Sequence, residues 1–139
     1  MKYVLDASVA IKWVIVEPDS NKAIRLREDY RNAIHDLIAP ESFAIECAYS
    51  LTKKQRQRLL PDARALWDDI MLDAPAFTPI LSLADRAFDI SIQTRHNFYD
   101  CLYVALAERE GCKLLTADAK LVTNLQPTFP FVTSLATLP

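Results

Sequence analysis

The stretch Asp100-Cys101-Leu102-Tyr103-Val104-Ala105-Leu106-Ala107-Glu108-Arg109-Glu110-Gly111-Cys112-Lys113-Leu114-Leu115-Thr116-Ala117-Asp118 decides the fold class. Its first part predicts a helix that opens at Asp100 and ends at Gly111. That glycine is the only one in the chain, and it stands where a helix C-terminus often takes a left-handed residue. Lys113 to Thr116 is a short apolar strand, and Asp118 follows its end. Helix, stop, strand and acid follow one another within a few turns.

The same alternation runs outward to both termini. Residues 2–6 predict a short buried strand, and a helix follows from about Ser8 to Val16. Glu17-Pro18-Asp19-Ser20 is a break, with Asp19 or Ser20 as N-cap of a helix reaching about His35. Leu37-Ile38-Ala39 is an apolar strand stopped by Pro40. A helix spans about Glu41 to Gln57. Pro61 suits the first turn of another, to about Leu72. Phe77 to Ile80 is a strand, Leu83 to Thr94 a helix, and His96-Asn97-Phe98 a loop. After Asp118 come a short helix, Ala119 to Leu125, and a last strand at Phe131-Val132. Strands alternating with helices predict an α/β domain with a mostly parallel sheet and helices on both faces. No repeat or linker divides the chain, so residues 1–139 are expected to form one domain.

Bulk properties narrow the function. The chain has 139 residues with 51% hydrophobic and 24% charged content, ordinary for a globular domain. A domain near this size buries about 70% of its unfolded surface, enough for a real core. No apolar run is long enough for a membrane span, and no basic region precedes a long apolar segment as in a signal peptide. The net charge of −2 gives no global nucleic-acid signal, so RNA contact would need a local patch. The three cysteines, Cys47, Cys101 and Cys112, lack metal or disulfide spacing. A reduced, cytoplasmic protein is expected, with Cys47 and Cys101 packed in the core.

Four acids stand where a carboxylate is hard to explain. Asp6 ends the apolar run Tyr3-Val4-Leu5, Glu46 sits in an apolar helix, Asp100 opens one, and Asp118 follows a strand. In α/β sheets ligands sit beyond the carboxyl ends of strands, which is where Asp6 and Asp118 fall. Glu46 has Ser42, Phe43, Tyr49 and Ser50 as helical neighbours, so no local salt bridge is available and burial would be costly. A shared hard cation would relieve that cost. Mg²⁺ takes oxygen ligands and few carboxylates, and two such ions about 3.5–4 Å apart can drive phosphodiester hydrolysis. Nothing suits zinc. Singly, Asp6, Asp100 and Asp118 could each merely cap the helix that follows, and Glu46 could reach solvent.

The chain resembles the PIN-domain ribonucleases, specifically VapC-type toxins. The resemblance is carried by Val4-Leu5-Asp6-Ala7-Ser8-Val9-Ala10-Ile11-Lys12-Trp13, by Ala39-Pro40-Glu41 through Glu46, by Phe98-Tyr99-Asp100 through Ala107, and by Leu114-Leu115-Thr116-Ala117-Asp118. It implies a PIN fold with a central parallel sheet and Mg²⁺- or Mn²⁺-dependent cleavage of single-stranded RNA. It implies that Asp6, Glu46, Asp100 and Asp118 form the catalytic, metal-binding cluster, with Asp6 and Asp100 the surest ligands. Ser8 and Thr116 resemble hydroxyls that orient the acids or bound water. The resemblance also implies a homodimer neutralised by a cognate antitoxin. Two positions depart from it: Tyr49 stands where many members carry Asn, and Ala119 and Lys120 stand where some carry a further acid.

Other residues offer two roles each. Lys53, Lys54, Arg56, Arg58 and Arg64 are the densest basic stretch; they can grip RNA phosphates or form a solvated helix face. Lys12 can meet a phosphate or be a surface lysine. His96 can be a general acid, although a metal mechanism needs none, and an ordinary loop histidine is expected. His35 suits a helix C-terminus. Trp13 and Trp67 can stack on bases but are expected to pack. Two other acid-bearing classes compete with this reading, the first of which also starts with an apolar strand ending in Asp. A haloacid-dehalogenase-type phosphatase needs a second Asp where Ser8 stands, and a receiver domain needs paired acids beside the first strand. A non-catalytic PIN-like binding module is the remaining alternative.

Overall fold

The protein, described by a computed structural model from Met1 to Pro139, alternates strands and helices as its apolar runs predict. The elements are β1 (Lys2–Leu5), α1 (Ala7–Val14), α2 (Ser20–Arg31), β2 (Asp36–Pro40), α3 (Ser42–Arg56), α4 (Ala63–Met71) and β3 (Ala76–Thr78). There follow α5 (Leu81–Thr94), α6 (Phe98–Glu110), β4 (Lys113–Thr116), α7 (Ala119–Leu125), β5 (Val132–Ser134) and a closing 3-10 turn. Every strand pairing is parallel, in the order β3-β2-β1-β4-β5. The chain therefore starts in the middle, builds outward through β2 and β3, then crosses back to add β4 and β5 beyond β1. Connections leave β1 and β4 in opposite directions, and such a switch point opens a crevice at the carboxyl edge of a sheet.

Burial follows from this layout. Val4 and Leu5 of β1 and Leu114 and Leu115 of β4 are 0% exposed, because helices cover both faces of a parallel sheet. Helix α6 is buried without a break from Cys101 to Ala107. It packs on β1, β2 and β4 with α5 against it, and a helix apolar all round is stable only when covered on all sides. Helices α1, α2, α3 and α4 pack together as a second group. Cys47 and Cys101 are buried as expected, and all three cysteines are free. Trp13 and Trp67 pack, their indole N–H groups donating to Ala23 O and Ala44 O, each at 2.9 Å. No helix is long and apolar enough to cross a membrane.

Several boundaries differ from the sequence expectation. Asp100 does not open its helix. Asn97 is the N-cap, its side-chain oxygen accepting from the Asp100 amide at 3.0 Å, so α6 starts at Phe98 and Asp100 lies in its first turn. Helix α1 stops at Val14 rather than Val16. Helix α2 stops at Arg31, short of His35, because Ala33 turns to a φ of 57°. Pro61 lies outside α4, whose start is set by Asp62 accepting from the Ala65 amide. β3 ends at Thr78 where its pairing with β2 ends, since Pro79 has no amide to continue it. β5 lies slightly later than Phe131-Val132, set by pairing of Val132 with Leu114.

Gly111 closes α6 with a φ of 63°, and a Cβ there would meet nothing within 4 Å. Gly111→Ala should therefore lower stability by about 1 kcal/mol through backbone strain alone. Urea denaturation measures this, and an unchanged midpoint would contradict it.

Candidate metal centre

The switch point between β1 and β4 carries a cleft of about 570 Å³ lined by Asp6, Glu46, Asp100 and Asp118. Each element delivers its acid for a definite reason. Asp6 continues β1 by one residue, its amide donating to Leu115 O at 3.0 Å. Asp118 follows β4. Helix α3 starts directly beyond β2, which puts Glu46 one turn inside the same edge. Helix α6 precedes β4 and runs opposite to it, so the first turn of α6, with Asp100, lies at the carboxyl edge of the sheet. The edge is reached because a strand follows this helix; the element before it is α5.

Each acid is held by one oxygen only. Asp6 Oδ2 accepts from Ser8 Oγ at 2.6 Å and Thr116 Oγ1 at 2.7 Å. Glu46 Oε2 accepts from the Tyr103 hydroxyl at 2.8 Å. Asp100 Oδ2 accepts from Asn97 Nδ2 at 2.8 Å and lies 2.6 Å from His96 Nε2. Asp118 Oδ1 accepts from the amides of Lys120 at 2.9 Å and Leu121 at 3.4 Å. The other oxygens (Asp6 Oδ1, Glu46 Oε1, Asp100 Oδ1 and Asp118 Oδ2) have no hydrogen-bond donor in the protein. Capping accounts for Asp118 alone. Asp6 occupies the N-cap position of α1 without a side-chain bond, and Asp100 lies inside its helix.

The cluster is tighter than four equal members. Asp6, Glu46 and Asp100 each offer one ligand oxygen within 4.8 Å of the others, and Asp118 lies outside that group. Crowding and burial show in their protonation. Burial raises the Asp6 pKa to about 6, against the pull of Ser8 and Thr116 and with the push of Asp100 and Asp118. Burial likewise raises Glu46 to about 7, opposed by Tyr103 and assisted by the Asp6 charge. The Tyr103 hydroxyl is pushed well above its ordinary range, first by burial and then by these acids. Ser42 Oγ, one turn before Glu46, lines the cleft and, with Tyr103, opposes the rise of the Glu46 pKa.

The remaining expected residues are placed less uniformly. Ser8 and Thr116 both hold Asp6. Lys12 donates to Pro18 O at 2.8 Å and lies 3.7 Å from Glu17, so its charge is already met inside the chain. It lines an adjoining groove with Ser8, Ile11, Ser50 and Lys54. Lys53 and Arg56 are exposed on α3, and Arg64 pairs with Asp68 at 3.1 Å and lies over Trp67. Sequence reasoning missed Tyr103 and Asn97 and set His96 aside. Tyr103, which holds Glu46, is 57 residues away in sequence, and no local pattern could reveal it. Asn97 stands three residues before Asp100, a visible spacing that a loop assignment obscured, and His96, four residues before it, is expected from sequence to be an ordinary loop histidine. His96 is not an ordinary loop histidine, being 9% exposed and bonded to Asp100.

Comparison with known proteins bears on the family and the fold. A family model for the PIN domain matches residues 3–123. Ribonuclease VapC3 of Pyrobaculum aerophilum is 33% identical over 128 residues, spanning 87% of this chain and 92% of that protein. Ribonuclease VapC12 of Mycobacterium tuberculosis is 30% identical over 124 residues, spanning 87% and 90%. Among solved structures, PAE2754 from Pyrobaculum aerophilum superposes with a TM-score of 0.68 at 20% identity, covering 99% of this chain and 94% of that one. VapBC2 from Rickettsia felis, bound to a promoter DNA fragment, gives 0.64 at 16% identity, covering 96% and 97%. These last two likenesses show the fold.

The raised acids set a sign for stability. Without metal, their contribution is full below the ordinary carboxylate range and is lost as pH rises through about 6 for Asp6 and about 7 for Glu46. In EDTA, Glu46→Gln should therefore raise the melting temperature at pH 8 by about 5 °C and leave it nearly unchanged at pH 4.5. Equal shifts at both pH values would contradict the assignment.

Proposed function

The chain belongs to the PIN-domain family, in its VapC-type ribonuclease branch, and on that footing we propose that Asp6, Glu46, Asp100 and Asp118 hold Mg²⁺ or Mn²⁺ for hydrolysis of single-stranded RNA. PIN ribonucleases are metal-dependent, and VapC-type members act as toxins of toxin–antitoxin pairs. The observation that carries the assignment here is the set of four acids in one cleft, each anchored by one oxygen with the other unbonded. No Lys or Arg side chain bonds any of them. The donors are all oxygen, which suits a hard divalent ion and excludes a thiolate site. The Ser42 hydroxyl adds one more polar oxygen to the cleft lining.

When bound, such an ion supplies a Lewis acid toward phosphodiester oxygens and makes water a competent nucleophile near neutral pH. The chain's own residues do the rest. Ser8 and Thr116 keep Asp6 in one rotamer, and Tyr103 does the same for Glu46. Asp6 and Asp100 are the principal ligands of the proposal, with Glu46 beside them and Asp118 at the margin. Tyr49 and Tyr99, 64% and 60% exposed, line the cleft mouth and offer faces on which unpaired bases can stack. Lys54 in the adjoining groove, with Lys53 and Arg56 beside it on α3, offers charge to flanking phosphates. Lys12 keeps only a secondary part, since Pro18 and Glu17 already bind it.

The partner expected beside RNA is a cognate antitoxin. A homodimer is a further proposal, supported by Leu81, Phe88 and Ile92 standing exposed along α5. The free cysteines suit a reducing cytoplasm.

Asp6→Asn and Asp100→Asn should each abolish RNA cleavage with an unchanged circular dichroism spectrum. EDTA should abolish it too, and Mn²⁺ or Mg²⁺ should restore it. Full activity in either variant refutes the mechanism, and mapping new RNA 5′ ends after induced expression, with Asp100→Ala as control, identifies the substrate. Replacing Lys53, Lys54 and Arg56 by Ala should weaken RNA binding and reduce the log–log salt slope by about 2 if all three meet phosphates; an unchanged slope removes them from the RNA path.

A further inference from the structure

His96 is a buried titratable side chain that bonds one of the cleft acids, Asp100, and that the metal mechanism does not use. Its backbone is pinned before its ring is considered. Arg95 ends α5 with a left-handed φ of 58°, an uncommon conformation for a non-glycine residue. That reversal is held by Ser91 Oγ donating to His96 O at 2.6 Å. The side chain is 7% exposed and its ring is met on both nitrogens. Nε2 lies 2.6 Å from Asp100 Oδ2, and Nδ1 lies 3.3 Å from Asn124 Nδ2.

These partners fix the direction of both bonds. An amide NH₂ can only donate, so Nδ1 facing Asn124 is an acceptor. An ionised carboxylate can only accept, so Nε2 facing Asp100 carries the hydrogen. Asn97 Nδ2 donates to the same Oδ2. Two donors on one oxygen leave Asp100 Oδ1 unbonded and hold the carboxylate plane. Asn124 belongs to the last turn of α7, the helix whose first turn Asp118 caps. Residues of α7 therefore bond Asp118 directly and reach Asp100 through His96.

We infer that His96 is a positioning residue for Asp100, a strut whose ring orientation is set by Asn124 and which ties the placement of Asp100 to α7. The strut presents Oδ1 for a cation by occupying Oδ2. This inference rests on the metal-binding proposal for the cluster, and its test separates the two.

The test combines Mn²⁺ titration with ¹⁵N NMR of the imidazole in metal-free protein. Wild-type His96 should show a protonated Nε2 and an acceptor Nδ1. His96→Leu should weaken Mn²⁺ binding about tenfold or more, the usual effect of losing a partner behind a ligand. His96→Gln, whose amide nitrogen can take the place of Nε2, should recover most of that loss. Asn124→Ala should disturb the imidazole signal and weaken binding less than His96→Leu. Wild-type affinity in His96→Leu overturns the inference, as does a Gln variant no better than Leu, or an Nδ1-protonated ring with bare Nε2. If His96→Leu does not fold, the Gln variant and the NMR pattern decide. If wild-type protein takes up no Mn²⁺, the metal proposal fails, and the NMR pattern alone decides the strut.

Discussion

Carboxylates brought together away from water repel one another and resist ionisation, and the architecture of this protein is arranged around that conflict. Asp6 is 5% exposed, and Glu46 and Asp100 bring oxygens within 4.8 Å of it. A lysine or arginine in the cluster would settle the repulsion internally. The chain instead uses hydroxyls from Ser8, Thr116 and Tyr103, the Asn97 amide, the His96 ring and the backbone amides of α7. Such donors orient an acid and partly offset its desolvation. They leave the summed negative charge largely in place, and that residual charge creates the demand for an external cation.

The same donors join the two strands that form the switch point. Leu5 pairs with Leu115, so Thr116 arrives beside Asp6. Ser8 Oγ accepts from the Ala117 amide and Thr116 Oγ1 accepts from the Asp118 amide, both at 3.0 Å. The groups that hold Asp6 therefore also shape the turn leading to Asp118. Site and sheet edge form together, because the crossover that puts β4 beside β1 is what supplies the second hydroxyl.

The legible parts of the chain were those governed by local periodicity. Short apolar runs bounded by Pro, Gly and acids gave every strand and helix, and strand ends gave the common edge of Asp6 and Asp118. Helix starts were harder, because a side chain in an apparent loop can take the cap. Asn97 did so and moved Asp100 from the start of α6 into its first turn. Glu46 illustrates a second limit. Its neighbours on α3 correctly offered no cation, yet its partner, Tyr103, comes from another helix. Lys12 shows a third. Its position after the first motif suggested a phosphate contact, while the turn at Pro18 folded back to bind it.

Tyr49 and Tyr103 together show how the cluster keeps its spacing. Tyr49, one turn after Glu46 on α3, is turned to the cleft mouth and makes no bond to that acid. Glu46 is held instead from α6 by Tyr103, three residues beyond Asp100 on the same helix. Side chains at that spacing share a helix face. One rigid element thus bears one acid directly and grips another. Since α6 is buried from Cys101 to Ala107 in a close-packed interior with little room for displacement, the separation of Glu46 and Asp100 is set by core packing. The opening motif supplies Asp6, but α6 is the ruler against which the other two members of the tight cluster are placed.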